Sequence, residues 1–157
     1  MRWFKDEPYY FHNDKTIYAL LGASGSGKST LAQYLREKLG IKELISHTTR
    51  QKRKGETAHY PYHFVDENEF KTLNLIEQVN YAGNYYGLSE KEVKNSLKNN
   101  DKVFVIMEKH GIGQLKEEFP EINIEIVYIY ATIEECLERM KDRRKKEIIE
   151  RVKNSIK

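Results

Sequence analysis

Short apolar bursts alternate along this chain with longer amphipathic stretches. TIYALLG (Thr16 to Gly22) is an apolar run closed by glycine, the pattern of a strand buried on both faces. KSTLAQYLREKLG follows at once, with Leu31, Leu35 and Leu39 spaced by four and Gly40 as a stop signal, which predicts a helix. KELIS (Lys42 to Ser46) predicts a second strand. SEKEVKNSLKNN predicts a helix capped by Ser89, with Glu92 completing the capping box. KVFVIM predicts another buried strand, and GIGQLKEEF a short helix ended by Pro120. INIEIVYIY alternates and then becomes wholly apolar, a further strand; TIEECLERMKDRR predicts a helix with Thr132 as cap and Glu135 in the reciprocal position.

Residues 57 to 88 break this rhythm. Tyrosines, brief apolar bursts such as YHFV and NLIEQVNY, and turn signals at Gly83 and Asn84 predict short strands around one helix. Strands alternating with helices imply a parallel α/β sheet, with this segment inserted between the second and third core strands.

Composition narrows the picture only slightly. A chain of 157 residues suits a single domain, 1–157, with a core of ordinary size. The balance of 27 basic against 24 acidic residues leaves +3, too little to argue for nucleic acid as a partner. The single Cys136 excludes an intramolecular disulfide, and its helical spacing with Ile133, Leu137 and Met140 marks it as a small buried hydrophobe. No apolar stretch approaches the roughly 20 residues of a membrane span. Residues 1–15, an aromatic extension broken by charges and Pro8, lack the pattern of a signal peptide, so the expected location is cytoplasmic.

The chemistry begins at GASGSGKST. Gly22, Gly27, Lys28 and Ser29 stand in the spacing of a phosphate-binding glycine loop, after a strand and opening a helix. Backbone amides of Gly22, Ala23, Ser24, Gly25, Ser26, Gly27, Lys28, Ser29 and Thr30 can close around phosphate oxygens, helped by the positive end of the helix. Lys28 would reach the terminal phosphates, and the Ser29 hydroxyl can ligate magnesium. A nucleoside triphosphate and Mg2+ are therefore expected.

SHTTRQKRKGE (Ser46 to Glu56) places Arg50, Lys52, Arg53 and Lys54 within five positions. By itself this run is compatible with a solvated surface, a nucleic-acid patch or a cradle for a small phosphate. ISHTTRQKRKGETAHYPYHFV resembles the monophosphate-binding segment of guanylate kinases, and NLIEQVNYAGNYYG resembles that family's Glu and Gly-Asn-Tyr-Tyr-Gly segment. The glycine loop, these two segments and CLERMKDRR occur in the family's order, from about Thr16 to Arg151. The resemblance implies a P-loop NTPase three-layer α/β fold with an inserted monophosphate-binding region at about 46–88 and an arginine-bearing lid at about 139–151. It implies that Arg50 and Arg53 grip the monophosphate, with Tyr62 and Tyr86 bonding to it and Ser46 close by. Glu77 would accept from the guanine N1 and N2 donors. Two guanidinium forks and two phenols suit a dianionic phosphate; Lys52 and Lys54 fit a solvated flank.

Arg139 and Arg143, one helical turn apart, resemble with Arg151 the arginines that close over the triphosphate. In the family an acid near the metal and its waters lies on the central strand, and Glu108 stands there. With Lys28 and Arg50, the three lid arginines form the expected catalytic set. The resemblance thus implies a kinase moving the γ-phosphoryl of ATP to GMP or dGMP. The alternatives are a kinase of another nucleotide or a phosphorylated sugar, and a non-catalytic binding module, which typically has a degraded glycine loop. Leu88 and Ile106 depart from the family, which has Ser or Thr and Asp there, so weaker or shifted base discrimination is expected. The family also continues with more helix beyond the point matching Lys157.

Overall fold

The computed structural model describes residues 14 to 155; residues 1–13 of the expected N-terminal extension lie outside the described residues. In chain order the elements are β1 (Thr16–Leu21), α1 (Lys28–Glu37), β2 (Lys42–Glu43), β3 (His47–Thr48), β4 (His63–Phe64), α2 (Glu67–Lys71) and β5 (Leu75–Tyr81). There follow β6 (Asn84–Ser89), α3 (Glu90–Asn99), β7 (Lys102–Ile106), α4 (Lys109–Glu118), β8 (Asn123–Tyr128) and α5 (Ile133–Ser155).

The core sheet runs β2-β7-β1-β8 with every pairing parallel, Ile17 opposite Val103 on one side and Ile124 on the other. Period-two alternation splits its side chains between two apolar layers. Ile17, Ala19, Val103 and Val105 pack with Val93 and Leu97 of α3 and Ile112 and Leu115 of α4. Leu20 and Phe104 point the other way, toward Leu31, Ala32 and Leu35 of α1. This is the expected α/β fold with helices on both faces of a parallel sheet. Leu39 departs from the predicted helical stripe: α1 ends at Glu37 and Leu39 is exposed.

The apolar tail of INIEIVYIY is less buried than its composition suggests. β8 ends the strand order among the described residues, so Ile126, Tyr128 and Tyr130 are exposed while Ile124 and Val127 reach the two layers. Position in the sheet, not hydrophobicity, decides this.

The segment between β2 and β7 builds a second sheet, ordered β4-β3-β6-β5. β5 and β6 form a hairpin whose two turn residues, Ala82 and Gly83, both have positive φ (49° and 77°), which matches the right-handed twist of the strands. Gly87 is required for close approach, because a Cβ there would lie 2.8 Å from the Glu77 carbonyl oxygen.

Capping departs from expectation once. The Thr132–Glu135 box is complete: Thr132 N–H donates to Glu135 Oε2 at 2.8 Å, and Glu135 N–H to Thr132 Oγ1 at 3.2 Å. At α3, Ser89 Oγ accepts the Glu92 N–H at 3.2 Å, but the Glu92 carboxylate bonds elsewhere, to Ile45 and His63.

Candidate active site

The glycine loop leaves the C-terminal end of β1 and opens α1, at the sheet edge where ligands of open α/β sheets bind. Gly27, the N-cap residue, has φ 110°, and Gly25 has φ 81°, conformations that side chains rarely adopt. A Cβ on Gly25 would meet the Cys136 carbonyl oxygen at 2.7 Å, so the loop rests directly on the start of α5. Cys136 is buried there, as expected, but Ile133, Leu137 and Met140, with which its spacing groups it, are exposed. Contact with the glycine loop, and not an apolar helix stripe, buries it. The Lys28 ammonium folds back onto the loop, donating to Gly22 O and, at 2.9 Å, to Ala23 O. Arg139 Nη1 donates to both Gly25 O and Ser26 O at 3.1 Å. Two cations thus rest on loop carbonyls, and a phosphate oxygen is a stronger acceptor than either carbonyl. Among the described residues Ser26 Oγ is buried without a hydrogen-bond partner, and it lies 2.8 Å from where a Cβ on Gly22 would sit.

In the second sheet, the paired threonines serve as scaffold. Thr48, fully buried, donates from Oγ1 to Tyr85 O at 2.9 Å and accepts the Arg50 N–H at 3.1 Å. Thr49 Oγ1 accepts the Tyr85 N–H at 3.0 Å, and Tyr85 itself stacks on Phe70. The backbone before Arg50 is thereby pinned to β6. The Arg50 guanidinium makes a two-bond fork with Glu56, at 3.1 and 2.9 Å, and lies over the Tyr62 and Phe64 rings at 5.7 and 5.2 Å. Tyr62 and Tyr86 meet edge to face with centroids 5.5 Å apart. Burial pushes the Tyr62 phenol up from 10, so it remains a hydrogen-bond donor at neutral pH. Arg50, Tyr62 and Tyr86 are therefore one cluster. Ser46 is tied to the residue after Tyr62, its carbonyl accepting the His63 N–H at 3.0 Å. Arg53 is on the exposed run with Lys52 and Lys54, and its backbone N–H donates to Glu56 Oε2 at 2.7 Å.

Glu56 emerges only from the folded chain. Gly55, at φ 90°, reverses the backbone so that this carboxylate returns onto Arg50. The hydrogen bonds from Arg50 hold its carboxyl below the usual 4.5. The Gly-Glu pair after a basic run was the available signal.

Glu77 lies on β5 against the first turn of α4: a Cβ on Gly111 would come within 3.3 Å of Glu77 Cγ. Burial raises the carboxyl above 4.5, opposed by the Leu88 backbone N–H and by the His110 ring. His110 is a second residue the motif reading passed over. Ile106 is partly exposed, at 38%, at the C-terminal end of β7. Leu88, in contrast, is fully buried in the larger apolar cluster. Glu108 follows β7 as the N-cap residue of α4, its exposed carboxylate making no capping bond, with Met107 N–H bonded to Leu20 O at 3.2 Å beside the glycine loop. Arg143 is exposed on α5 one turn beyond Arg139. The Arg151 side chain lies outside the described residues.

The parallel sheet, the strand-loop-helix phosphate cradle and a separate arginine–tyrosine cluster on an inserted sheet define the class of P-loop phosphotransferases. Residues 14–157 match the family model described as Guanylate kinase. The chain is 39% identical over 148 residues to a guanylate kinase of Fusobacterium nucleatum, covering 90% of this chain and 80% of that relative. It is 35% identical over 113 residues to one of Vibrio parahaemolyticus, covering 68% of this chain and 55% of the other. A crystal structure of guanylate kinase from Anaplasma phagocytophilum superposes with a TM-score of 0.58 at 25% identity, covering 80% of this chain and 64% of that one. The chain belongs to the guanylate kinase family.

Proposed function

We propose that this chain transfers the γ-phosphoryl group of ATP to GMP or dGMP, giving ADP and the nucleoside diphosphate. The observation that carries the reading is the Arg50–Tyr62–Tyr86 cluster, a cationic and phenolic cradle built on a sheet separate from the glycine loop. Two phosphate sites on two sheets suit a donor and an acceptor. The retained Gly27-Lys28-Ser29 counts against a purely binding role, and Glu77 at the base edge counts against a sugar phosphate.

In this reading residues 46–88 form the acceptor region and residues 139–151 the lid. The amides at the start of α1 and the Lys28 ammonium hold the donor triphosphate, and Lys28 exchanges the Gly22 and Ala23 carbonyls for phosphate oxygens. Arg139 is already at the loop and makes the same exchange as charge builds on the transferring group. Arg143 joins it from the next turn of the same helix, and Arg151, about 18 Å further along the helix axis than Arg139, requires the helix to bend toward the donor. Arg50 and Arg53 orient the acceptor, with Tyr62, Tyr86 and Ser46. An acceptor oxygen forms the new bond to the γ-phosphorus as the bond to the β-phosphate bridging oxygen breaks. That acceptor oxygen is already anionic, so no general base is required. The Ser29 hydroxyl and, through water, the Glu108 carboxylate are hard oxygen donors of the kind magnesium takes, and the ion would neutralise charge on the phosphates. Nucleotide substrates suit a cytoplasmic location.

The test is a coupled ADP-release assay with GMP, dGMP, AMP, UMP and a panel of sugar phosphates. GMP- and dGMP-dependent turnover that needs Mg2+ and is lost in Lys28→Ala is the expected result. Binding of GMP without turnover in the presence of ATP and Mg2+ would overturn it.

A further inference from the structure

One carboxylate joins the inserted sheet to the core. Glu92 lies in the first turn of α3, the helix by which the chain returns from β6 to β7. Its Oε1 accepts the Ile45 N–H at 3.0 Å. Ile45 marks the outgoing crossing: Leu44 N–H still bonds to Phe104 O in the core sheet at 2.8 Å, and β3 of the inserted sheet begins at His47. Glu92 Oε2 lies 2.9 Å from His63 Nε2 on β4, next to Tyr62. The backbone of the same residue closes the loop, since His63 N–H donates to Ser46 O at 3.0 Å. The outgoing crossing, the returning helix and the strand after Tyr62 therefore converge on one side chain.

Both oxygens of the carboxylate have a partner. Burial alone would raise the Glu92 carboxyl, yet the His63 ring and the Ile45 amide more than offset it, and its pKa is lowered from 4.5. His59 Nδ1 lies 3.1 Å from His63 Nδ1, so one of these nitrogens donates. With His59 as donor, a neutral His63 offers its Nε2 proton to Glu92 and every contact is made. The His47 ring packs 4.7 Å from His63, and burial lowers its pKa to about 4, so it adds no charge to the group near neutral pH. Glu92 has thus left its local role, closing the α3 cap, for two long-range ones, to Ile45 and to His63.

We propose that Glu92 and His63 are positioning residues for the acceptor phosphate: they hold β4 and the Ser46 segment, and with them Tyr62, in register with Arg50. Neither touches the nucleotide. This rests on the reading of Arg50, Tyr62 and Tyr86 as the phosphate cradle.

The experiment compares Glu92→Ala, Glu92→Gln and His63→Ala with the unmodified chain, measuring KM for GMP, KM for ATP, kcat, melting temperature and the exchange rate of the Ile45 amide. Glu92→Ala is expected to raise KM for GMP roughly tenfold, the equivalent of one lost charge-assisted hydrogen bond. KM for ATP and kcat should change by less than about twofold, and Ile45 exchange should accelerate. Glu92→Gln keeps an acceptor for Ile45, and its amide N–H can donate to His63 Nε2 once the His63 proton moves to Nδ1 toward His59, so it should recover part of the GMP affinity. His63→Ala should raise KM for GMP while leaving Ile45 protected. Equal weakening of both substrates, unchanged GMP kinetics, or Gln no better than Ala would overturn the proposal. Should the unmodified chain bind GMP without turning it over, the activity reading falls and the variants are scored on GMP affinity by calorimetry. Should it bind none, both fall.

Discussion

Arg50 and Glu56 face each other through a two-bond fork, Nη1 to Oε2 at 3.1 Å and Nη2 to Oε1 at 2.9 Å, with both side chains mostly shielded from water. A guanidinium has five N–H donors; this fork occupies two and Gln51 O takes a third at 2.9 Å, leaving two for a phosphate. Glu56 therefore aims Arg50 and does not simply neutralise it. Arg50→Ala should cost on the order of 1.5 to 3 kcal/mol of acceptor binding. Glu56→Ala should raise KM for GMP by a smaller factor, with Glu56→Gln between it and the unmodified chain. Steady-state kinetics with GMP varied at saturating ATP checks both.

Arg139 touches the loop carbonyls and Lys28 does the same from inside the loop. In the proposed reaction both cations exchange these carbonyls for phosphate oxygens. Arg139→Ala should lower kcat by on the order of 10³ while KM for GMP changes little. The coupled assay reports both quantities, and an effect on KM for GMP alone would contradict the assignment.

Gly25 combines a φ of 81° with a Cβ position 2.7 Å from a backbone oxygen of Cys136. Neither problem can be relieved by rotating a side chain. Gly25→Ala should lower stability by about 1 to 3 kcal/mol and weaken ATP binding through displacement of the loop from α5. Thermal unfolding with and without ATP separates the two effects, because bound nucleotide raises the melting temperature only where the loop still closes.

If Glu77 reads the guanine edge as proposed, binding of GMP takes on a pH dependence with a definite sign. Its pKa is raised by burial, so the carboxylate becomes protonated at a higher pH than an ordinary glutamate. Protonation removes acceptor capacity for the guanine N1 and N2 donors. KM for GMP should therefore rise as pH falls from neutral through the raised pKa, above 4.5, and Glu77→Gln should flatten that rise. KM for ATP over the same pH range provides the internal comparison.

Leu88 illustrates how the folded chain alters a prediction about specificity. Its register places it opposite Glu77, and its side chain is fully buried in the core cluster. Leu88→Ser should lower stability by about 2 to 5 kcal/mol, the cost of emptying a leucine site, with the buried hydroxyl adding to it. Ile106, at 38% exposure, tolerates a polar group better, so Ile106→Asp is the cleaner substitution for sharpening the preference for GMP over AMP and UMP. Relative kcat/KM values for the three monophosphates test this.

Much of the architecture was legible in the chain. The strand-loop-helix unit, the Thr132–Glu135 cap and the position of the insertion all follow from patterns within about ten residues, where side-chain periodicity and capping act locally. Arg50, Tyr62 and Tyr86 were legible as a group through motif resemblance, and the folded chain brings them together. The roles of Glu56 and Glu92 were not legible. Both carboxylates sit in ordinary local surroundings, one after a basic run and one in a helix cap, and their partners are chosen by tertiary approach.

What the sequence by itself determined is the set of elements and the placement of the glycine loop and the basic run, because backbone propensity, apolar spacing and glycine placement act between near neighbours. Only the tertiary structure decided where charge is anchored and which apolar residues are buried. Glu92 meets Ile45 across 47 positions and His63 across 29. Ile126 and Tyr128 are exposed, although equally apolar residues of β1 are buried, because β8 ends the strand order among the described residues. Hydrogen bonds and burial depend on distance in space, and chain spacing alone does not contain that distance.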